Sequence, residues 1–237
     1  MNTSKKAKNE TYPTQTQDVR ALLNAKPDTW PAEPIDPGKP LKWQTRRIMA
    51  PQPRGDRDYR YDGYDDDGCH YLEVVRDGQP TEIYVHVDRP PFLEGDRLWV
   101  RETWLRPNVT PRQILTGLLP IQYKADFTED ELAKIAEAYK WKPSIHMPRE
   151  AARLFLEVRE VRAERLRDMH EDDAGKEGIL IDGRLCKMPC GDCTSDDCFD
   201  LRLPFIDLWD RINGKGAWES SPWVWVYEFM RREGEVL

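Results

Sequence analysis

The sequence predicts an α+β protein built on a small closed or nearly closed barrel, with inserted helices and long loops. Three observations carry that expectation. Five or six short apolar runs read as strands, helical periodicities fall between them, and the connections are mostly local in sequence. At 237 residues, 33% charged and 39% hydrophobic, the chain can bury one core with sizeable insertions. A single domain is therefore expected over residues 17–231, preceded by a flexible segment 1–16 and followed by a tail 232–237.

Val19 to Leu23 reads as one or two helical turns. Five prolines between Lys26 and Pro40 exclude regular structure from 26–40. Residues 51–68, rich in Gly, Asp and Arg, read as a second, acidic loop. Tyr71–Arg76 and Thr81–Val87 alternate around Asp77-Gly78 and predict a hairpin. Gly95-Asp96 introduces a half-buried strand from Arg97 to Trp104, and Ile121 to Tyr123 gives another. Leu132, Ile135, Ala136 and Tyr139 recur at helical spacing behind Thr128, an N-cap.

Leu154, Leu156 and Val158 alternate with their neighbours and predict a strand that runs on through Val161. Asp168-Met169-His170-Glu171 has the shape of a capping box, so a short helix is expected to start at Asp168 and to end before Gly178. Phe205, Leu208, Trp209 and Ile212 mark another helix, stopped by Gly214. Trp223 to Phe229 is strongly strand-forming with little polarity on either face and reads as a core strand.

A formal charge of −7 argues against a surface coated with nucleic-acid-binding lysines, so any such contact is local. Acidic residues cluster at Asp62, Asp65, Asp66 and Asp67 and again at Glu171 to Asp173, whereas basic residues gather at Arg46, Arg47 and from Arg149 to Arg167. No run approaches the roughly 18 apolar residues of a membrane span, and the polar start lacks the apolar core of a signal peptide. A cytoplasmic location without a membrane partner is the resulting expectation.

Four of the five cysteines, Cys186, Cys190, Cys193 and Cys198, have the spacing C-x3-C-x2-C-x4-C. They are enough thiolates for one tetrahedral, structural zinc in the loop 182–203, although only Cys190 and Cys193 form the tight pair usual in such sites; the alternative is an unmetallated insertion. Four thiolates leave no open position, so no cofactor is expected in catalysis. Cys69-His70 reads as incidental.

The stretch Lys42-Trp43-Gln44-Thr45-Arg46-Arg47 places an amine, a hydroxyl and two guanidiniums together. In a turn or the first turn of a helix, an amine three residues before a hydroxyl stands beside it and can take its proton. The two arginines suit an anionic or carbonyl-bearing ligand. Read alone, the string is also a solvated basic patch. Ser144, His146 and Arg149, in a proline-bearing loop before the central strand, are candidate contacts to a base or phosphate, although His146 between Ile145 and Met147 also reads as a structural residue. Trp99, Trp104, Trp223 and Trp225 could stack on a base, but core packing explains them better.

Together with Gly95 to Glu102, Trp141 to Arg149, Ala174 to Gly178 and the ending from Leu208-Trp209 to Phe229, that stretch resembles an ASCH domain of the long form found in bacteriophages and prophages. ASCH domains belong to the PUA-like barrels, which are associated with RNA and modified nucleotides. A smaller bacterial member of that superfamily, an N4-acetylcytidine amidohydrolase, uses a lysine, a threonine and a glutamate. The resemblance carries those roles to Lys42, Thr45 and Glu177, with Arg47 matching an arginine two residues beyond the threonine. It implies hydrolysis of the amide of an acylated nucleobase or nucleoside, with a nucleoside or RNA as ligand. The chemistry asks for an activated nucleophile, a proton for the leaving nitrogen and donors for the oxyanion. The alternative is a non-catalytic module that binds RNA or a modified nucleotide.

Overall fold

The computed structural model describes residues 8–9, 16–34, 39, 41–53, 58–67, 69–106, 121–135, 140–179 and 202–233. Its elements in chain order are β1 (Lys8–Asn9), α1 (Thr16–Leu23), β2 (Gln44–Ile48), β3 (Asp58–Tyr64), β4 (His70–Arg76), β5 (Gln79–Val87), β6 (Arg97–Trp99), β7 (Trp104–Leu105), β8 (Gln122–Tyr123), α2 (Glu129–Ile135), β9 (Phe155–Arg165), α3 (Glu171–Lys176), α4 (Leu203–Asn213) and β10 (Trp223–Arg232). This mixture of helices with mainly antiparallel strands is an α+β fold. Among the described residues no helix is long and apolar enough to cross a membrane.

The chain forms two compact units. The first comprises Met1–Leu41, Asp96–Glu157 and Met230–Leu237, and the second Lys42–Gly95 and Val158–Phe229.

In the first unit β6 pairs antiparallel with the start of β9, Leu98 opposite Leu156, and parallel with β1. The expected strand from Arg97 to Trp104 is in fact two. After Trp99 the chain leaves its partner, and Trp104 starts β7, which pairs with β8. Trp99, Trp104, Met147, Ala151 and Phe155 make the apolar core here. The start of α2 is capped reciprocally: Thr128 N donates to Glu131 Oε2 at 2.8 Å, and Glu131 N donates to Thr128 Oγ1 at 3.3 Å. Glu102 is buried and accepts from Arg153 Nε at 2.9 Å and Nη2 at 2.8 Å, while the Arg153 guanidinium lies 3.9 Å from the Tyr123 ring centroid.

In the second unit β10 is the central strand, flanked by β9 and by β2, with Val226 opposite Arg46 and Tyr227 opposite Thr45. Side chains alternate between the two faces of this sheet. One face carries Val224 and Val226, which pack with Leu166, Met169 and Ala174 and with Phe205 and Trp209 of α4. The other carries Trp223, Trp225 and Tyr227, which meet Tyr59, His70 and Phe92 edge-on. Tyr59 and His70 belong to the antiparallel meander β3-β4-β5, whose hairpin turns at Asp77-Gly78 as expected. Gly214 ends α4 with a φ of 105°, a conformation that favours glycine.

Two expectations need correction in this unit. The loop assigned to 51–68 contains β3, which pairs with β4 along Asp58 to Tyr64. Asp58, Arg60 and Asp62 occupy exposed positions that alternate with the half-buried Tyr59, Tyr61 and Gly63, so the composition hid a strand whose period was there to read. The short helix starts at Glu171 with His170 as its cap, the ring accepting from Asp172 N, whereas Asp168 closes a separate 3₁₀ turn.

Arg153→Ala leaves the buried Glu102 carboxylate without its bidentate partner. It should lower unfolding free energy by about 3 kcal/mol or more in a denaturant titration. A loss below about 1 kcal/mol would mean that the pair is incidental to the first unit.

Candidate functional site

All groups of the site lie in the second unit. Trp43 N donates to Lys176 O and Phe229 N to Trp43 O, each at 2.9 Å, which lays the chain before β2 between the end of α3 and β10. Lys42 and Glu177 then face each other in a single antiparallel bridge. Lys42 Nζ donates to the Glu177 carbonyl at 2.9 Å and to Glu177 Oε2 at 3.0 Å. The lysine and the glutamate singled out by the resemblance, 135 residues apart in sequence, are thus in direct contact.

Arg46 continues the same face of β2. Its side chain is 0% exposed and meets three carboxylates: Nε donates to Glu164 Oε1 at 2.7 Å, Nη1 to Glu177 Oε1 at 3.0 Å and Nη2 to Asp173 Oδ2 at 2.6 Å. Arg162 of β9 donates to Glu228 Oε1 at 2.9 Å, and Lys176 pairs with Asp173 Oδ1 at 2.8 Å. The Gln44 amide, oriented with its oxygen toward the arginines, accepts from Arg46 Nη2 at 3.2 Å and Arg162 Nη2 at 3.1 Å. Among the described residues Lys42, Arg46, Arg162 and Lys176 face Glu164, Asp173, Glu177 and Glu228, with the more exposed Glu160 at 3.2 Å from Arg162 at the edge. The buried charges are thus matched by opposite ones, the condition under which so many can be buried together.

Burial works against the Arg46 charge, but Glu177, Glu164 and Asp173 together hold its proton affinity above the ordinary guanidinium value. The same environment moves two of those carboxylates in opposite directions. Burial pushes Glu164 up, beyond what Arg46 and Arg162 recover. At Asp173 burial also acts upward, but hydrogen bonds and charge from Lys176 and Arg46 prevail and hold it below the usual range.

Thr45 stands apart. The expected turn or helix start is a β-strand, and in extended backbone residues three apart point to opposite faces. Lys42, Gln44 and Arg46 therefore share one face, while Thr45 and Arg47 share the other with Tyr227 and Trp225. The Thr45 hydroxyl makes no hydrogen bond with a described residue, and the amine and hydroxyl do not meet. Arg46, expected to serve a ligand, is committed to carboxylates.

Ser144, His146 and Arg149 belong to the first unit, where 3₁₀ turns over Ser144–His146 and Arg149–Ala151 present an exposed His146 beside the buried Met147. Trp99, Trp104, Trp223 and Trp225 are buried, as core packing required. Cys186, Cys190, Cys193 and Cys198 lie outside the described residues. Among the described residues no three His, Cys, Asp or Glu side chains are grouped to hold a metal.

Sequence reasoning missed Glu164, Asp173, Arg162 and Glu228. Two signals were present. Asp173 lies four residues before Glu177, on the same side of a helical turn. Arg162 and Glu164 alternate with the buried Val161 and Ala163, which places two charges on one face of a strand. The chain matches no family model, no curated protein and no solved structure.

Asp173 gives a pH test. Its folded value lies below the ordinary aspartate value near 4, so its stabilising contribution is complete above that value and is lost as pH falls through the lower folded one. Glu164 acts with the opposite sign, since its raised value makes charging costly as pH rises past the ordinary glutamate value near 4.3. Asp173→Asn should therefore flatten the acid-side fall of unfolding free energy below about pH 4, measured by urea titration at a series of pH values. An unchanged slope would remove Asp173 from the charge balance.

Proposed function

We propose that this protein is an ASCH-type, PUA-like amidohydrolase that cleaves the amide of an acylated nucleobase or nucleoside, such as N4-acetylcytidine. The observation that carries this reading is the 3.0 Å contact between Lys42 and Glu177, two residues brought from distant parts of the chain into the pairing that the resemblance implies. The α+β fold with its mainly antiparallel sheet is compatible with a PUA-like barrel.

The geometry favours particular roles. Arg46 fixes one oxygen of Glu177 and Lys42 the other, so the carboxylate is oriented before any substrate arrives. Glu177 takes the proton of an attacking water, and the Lys42 ammonium delivers a proton to the departing exocyclic nitrogen. Bond making is between the water oxygen and the acyl carbon, bond breaking is between that carbon and the amide nitrogen, and the products are a carboxylic acid and the free amine. With Thr45 on the opposite face of β2, water is the better nucleophile than the threonine hydroxyl.

A second reading is favoured by a specific feature of the same contact. Lys42 Nζ and both Glu177 oxygens already partner protein groups, as expected for a binding module in which the pair is structural.

Incubating the protein with N4-acylated cytosines and cytidines, with products followed by chromatography, tests both. The first reading expects release of the deacylated base or nucleoside, with Lys42→Ala and Glu177→Gln each losing about 10²-fold or more and Thr45→Ala retaining most of the rate. Ligand binding without release would overturn hydrolysis and leave the binding module; neither binding nor release would overturn hydrolysis and a module for such nucleosides.

A further inference from the structure

The second unit contains a cleft of about 400 Å³ lined by Tyr64, Asp65, Asp66, Asp67, His70, Arg89, Leu93, Glu94 and Val161, a size common for small-molecule sites. Val161 belongs to the sheet face that carries Thr45 and Trp225, so the cleft lies on the side opposite Lys42 and Glu177.

Its floor holds a buried histidine. His70 is 2% exposed, stands edge-on to Trp225 at 4.9 Å and lies between Tyr61 and Tyr64 at 5.8 and 5.2 Å. Its Nδ1 and the Tyr61 hydroxyl are 2.7 Å apart, whereas the other acceptor within reach of that hydroxyl, the Val161 carbonyl, is at 3.4 Å. Assigning the phenolic proton to the shorter contact makes Nδ1 the acceptor and leaves the imidazole proton on Nε2. Nε2 has no hydrogen-bond partner among the described residues. Burial pushes the His70 value down to about 4, so the ring is neutral at pH 7 and offers one N–H donor and no charge.

The rim has the opposite character. Asp65 is used internally, accepting from Asp67 N, Cys69 N and the Tyr71 hydroxyl. Asp66 and Asp67 are exposed, as are Glu94, Tyr64 and Arg89. Four carboxylates against one guanidinium repel phosphate and accept hydrogen bonds from amines. Tyr64 is anchored through its hydroxyl to Glu94 at 3.0 Å and offers a ring at the mouth.

We propose that this cleft binds an uncharged aromatic heterocycle bearing an amino group, as free base or nucleoside, and excludes its phosphates. A ring nitrogen or carbonyl of the ligand accepts from His70 Nε2, its amine donates to a rim carboxylate, and its face packs on Tyr64. Cytosine has this arrangement of donor beside acceptor. The site is separate from Lys42 and Glu177 and does not rest on the hydrolysis reading.

Calorimetric titration of the full chain with cytidine, uridine and cytidine 5′-monophosphate tests it, with the His70 imidazole followed by ¹⁵N NMR. Cytidine should bind and shift the Nε2 signal, while uridine, which replaces the amine by a carbonyl, and the phosphate should bind about tenfold more weakly or worse. His70→Phe should weaken cytidine about tenfold. Should that variant fail to fold, the rim double variant Asp66→Asn/Asp67→Asn decides by narrowing the gap between cytidine and its phosphate. The Nε2 signal separates failure here from failure of hydrolysis, because it reports the cleft and not the Lys42–Glu177 pair. Equal binding of cytidine and its phosphate, no binding to the folded protein, or an unmoved Nε2 signal would each overturn the proposal.

Discussion

The guanidinium of Arg46 is the constraint on which the second unit depends. Its three nitrogens reach Glu164 on β9 and Asp173 and Glu177 at α3 from a side chain wholly shielded from water. Apolar contacts between α4 and the sheet bury area but set no direction. The planar guanidinium does, because each carboxylate must arrive at a fixed angle and a buried charge left without its partner costs several kcal/mol. One side chain thereby ties β2, β9 and α3 into a single arrangement.

The candidate chemistry inherits its geometry from that tie. Glu177 meets Arg46 with one oxygen and Lys42 with the other, so the orientation of the Lys42–Glu177 pair follows from where Arg46 stands in β2. Strand alternation then divides the labour between two faces of one sheet. The charged cluster occupies the face shared with α4, while Thr45 and Arg47 point to the aromatic side, where Trp225 touches His70. A lysine and a threonine spaced three apart would be neighbours on a helix; along the extended chain that leads into β2 they point to opposite sides.

The strongest periodic signals were legible in the sequence. β10 followed from its strand-forming, largely apolar run, the β4–β5 hairpin from Asp77-Gly78 between alternating segments, and α4 from Phe205, Trp209 and its stop at Gly214. β3 was lost because tyrosines alternating with Asp, Arg and Gly look like a loop until a partner strand buries one side of them. The site was legible in part. Lys42 and Glu177 stood out through a resemblance of motifs, but the conformation of Lys42 to Arg47 is decided by pairing with β10, a contact about 180 residues away that a local window does not contain. His70 was passed over for the same reason: beside Cys69 it looks incidental, and only Tyr61 and Trp225 make it the floor of a cleft.

The most direct measurement of the central claim is a double-mutant cycle between Arg46 and Glu177, with unfolding free energies for Arg46→Ala, Glu177→Ala and the pair compared with the parent chain. If the guanidinium organises the cluster, the coupling energy is about 2 kcal/mol or more, because each single variant leaves the other charge buried without its partner. A coupling below about 0.5 kcal/mol, with the single effects adding, would contradict it and return the cluster to the status of surface-like ion pairs.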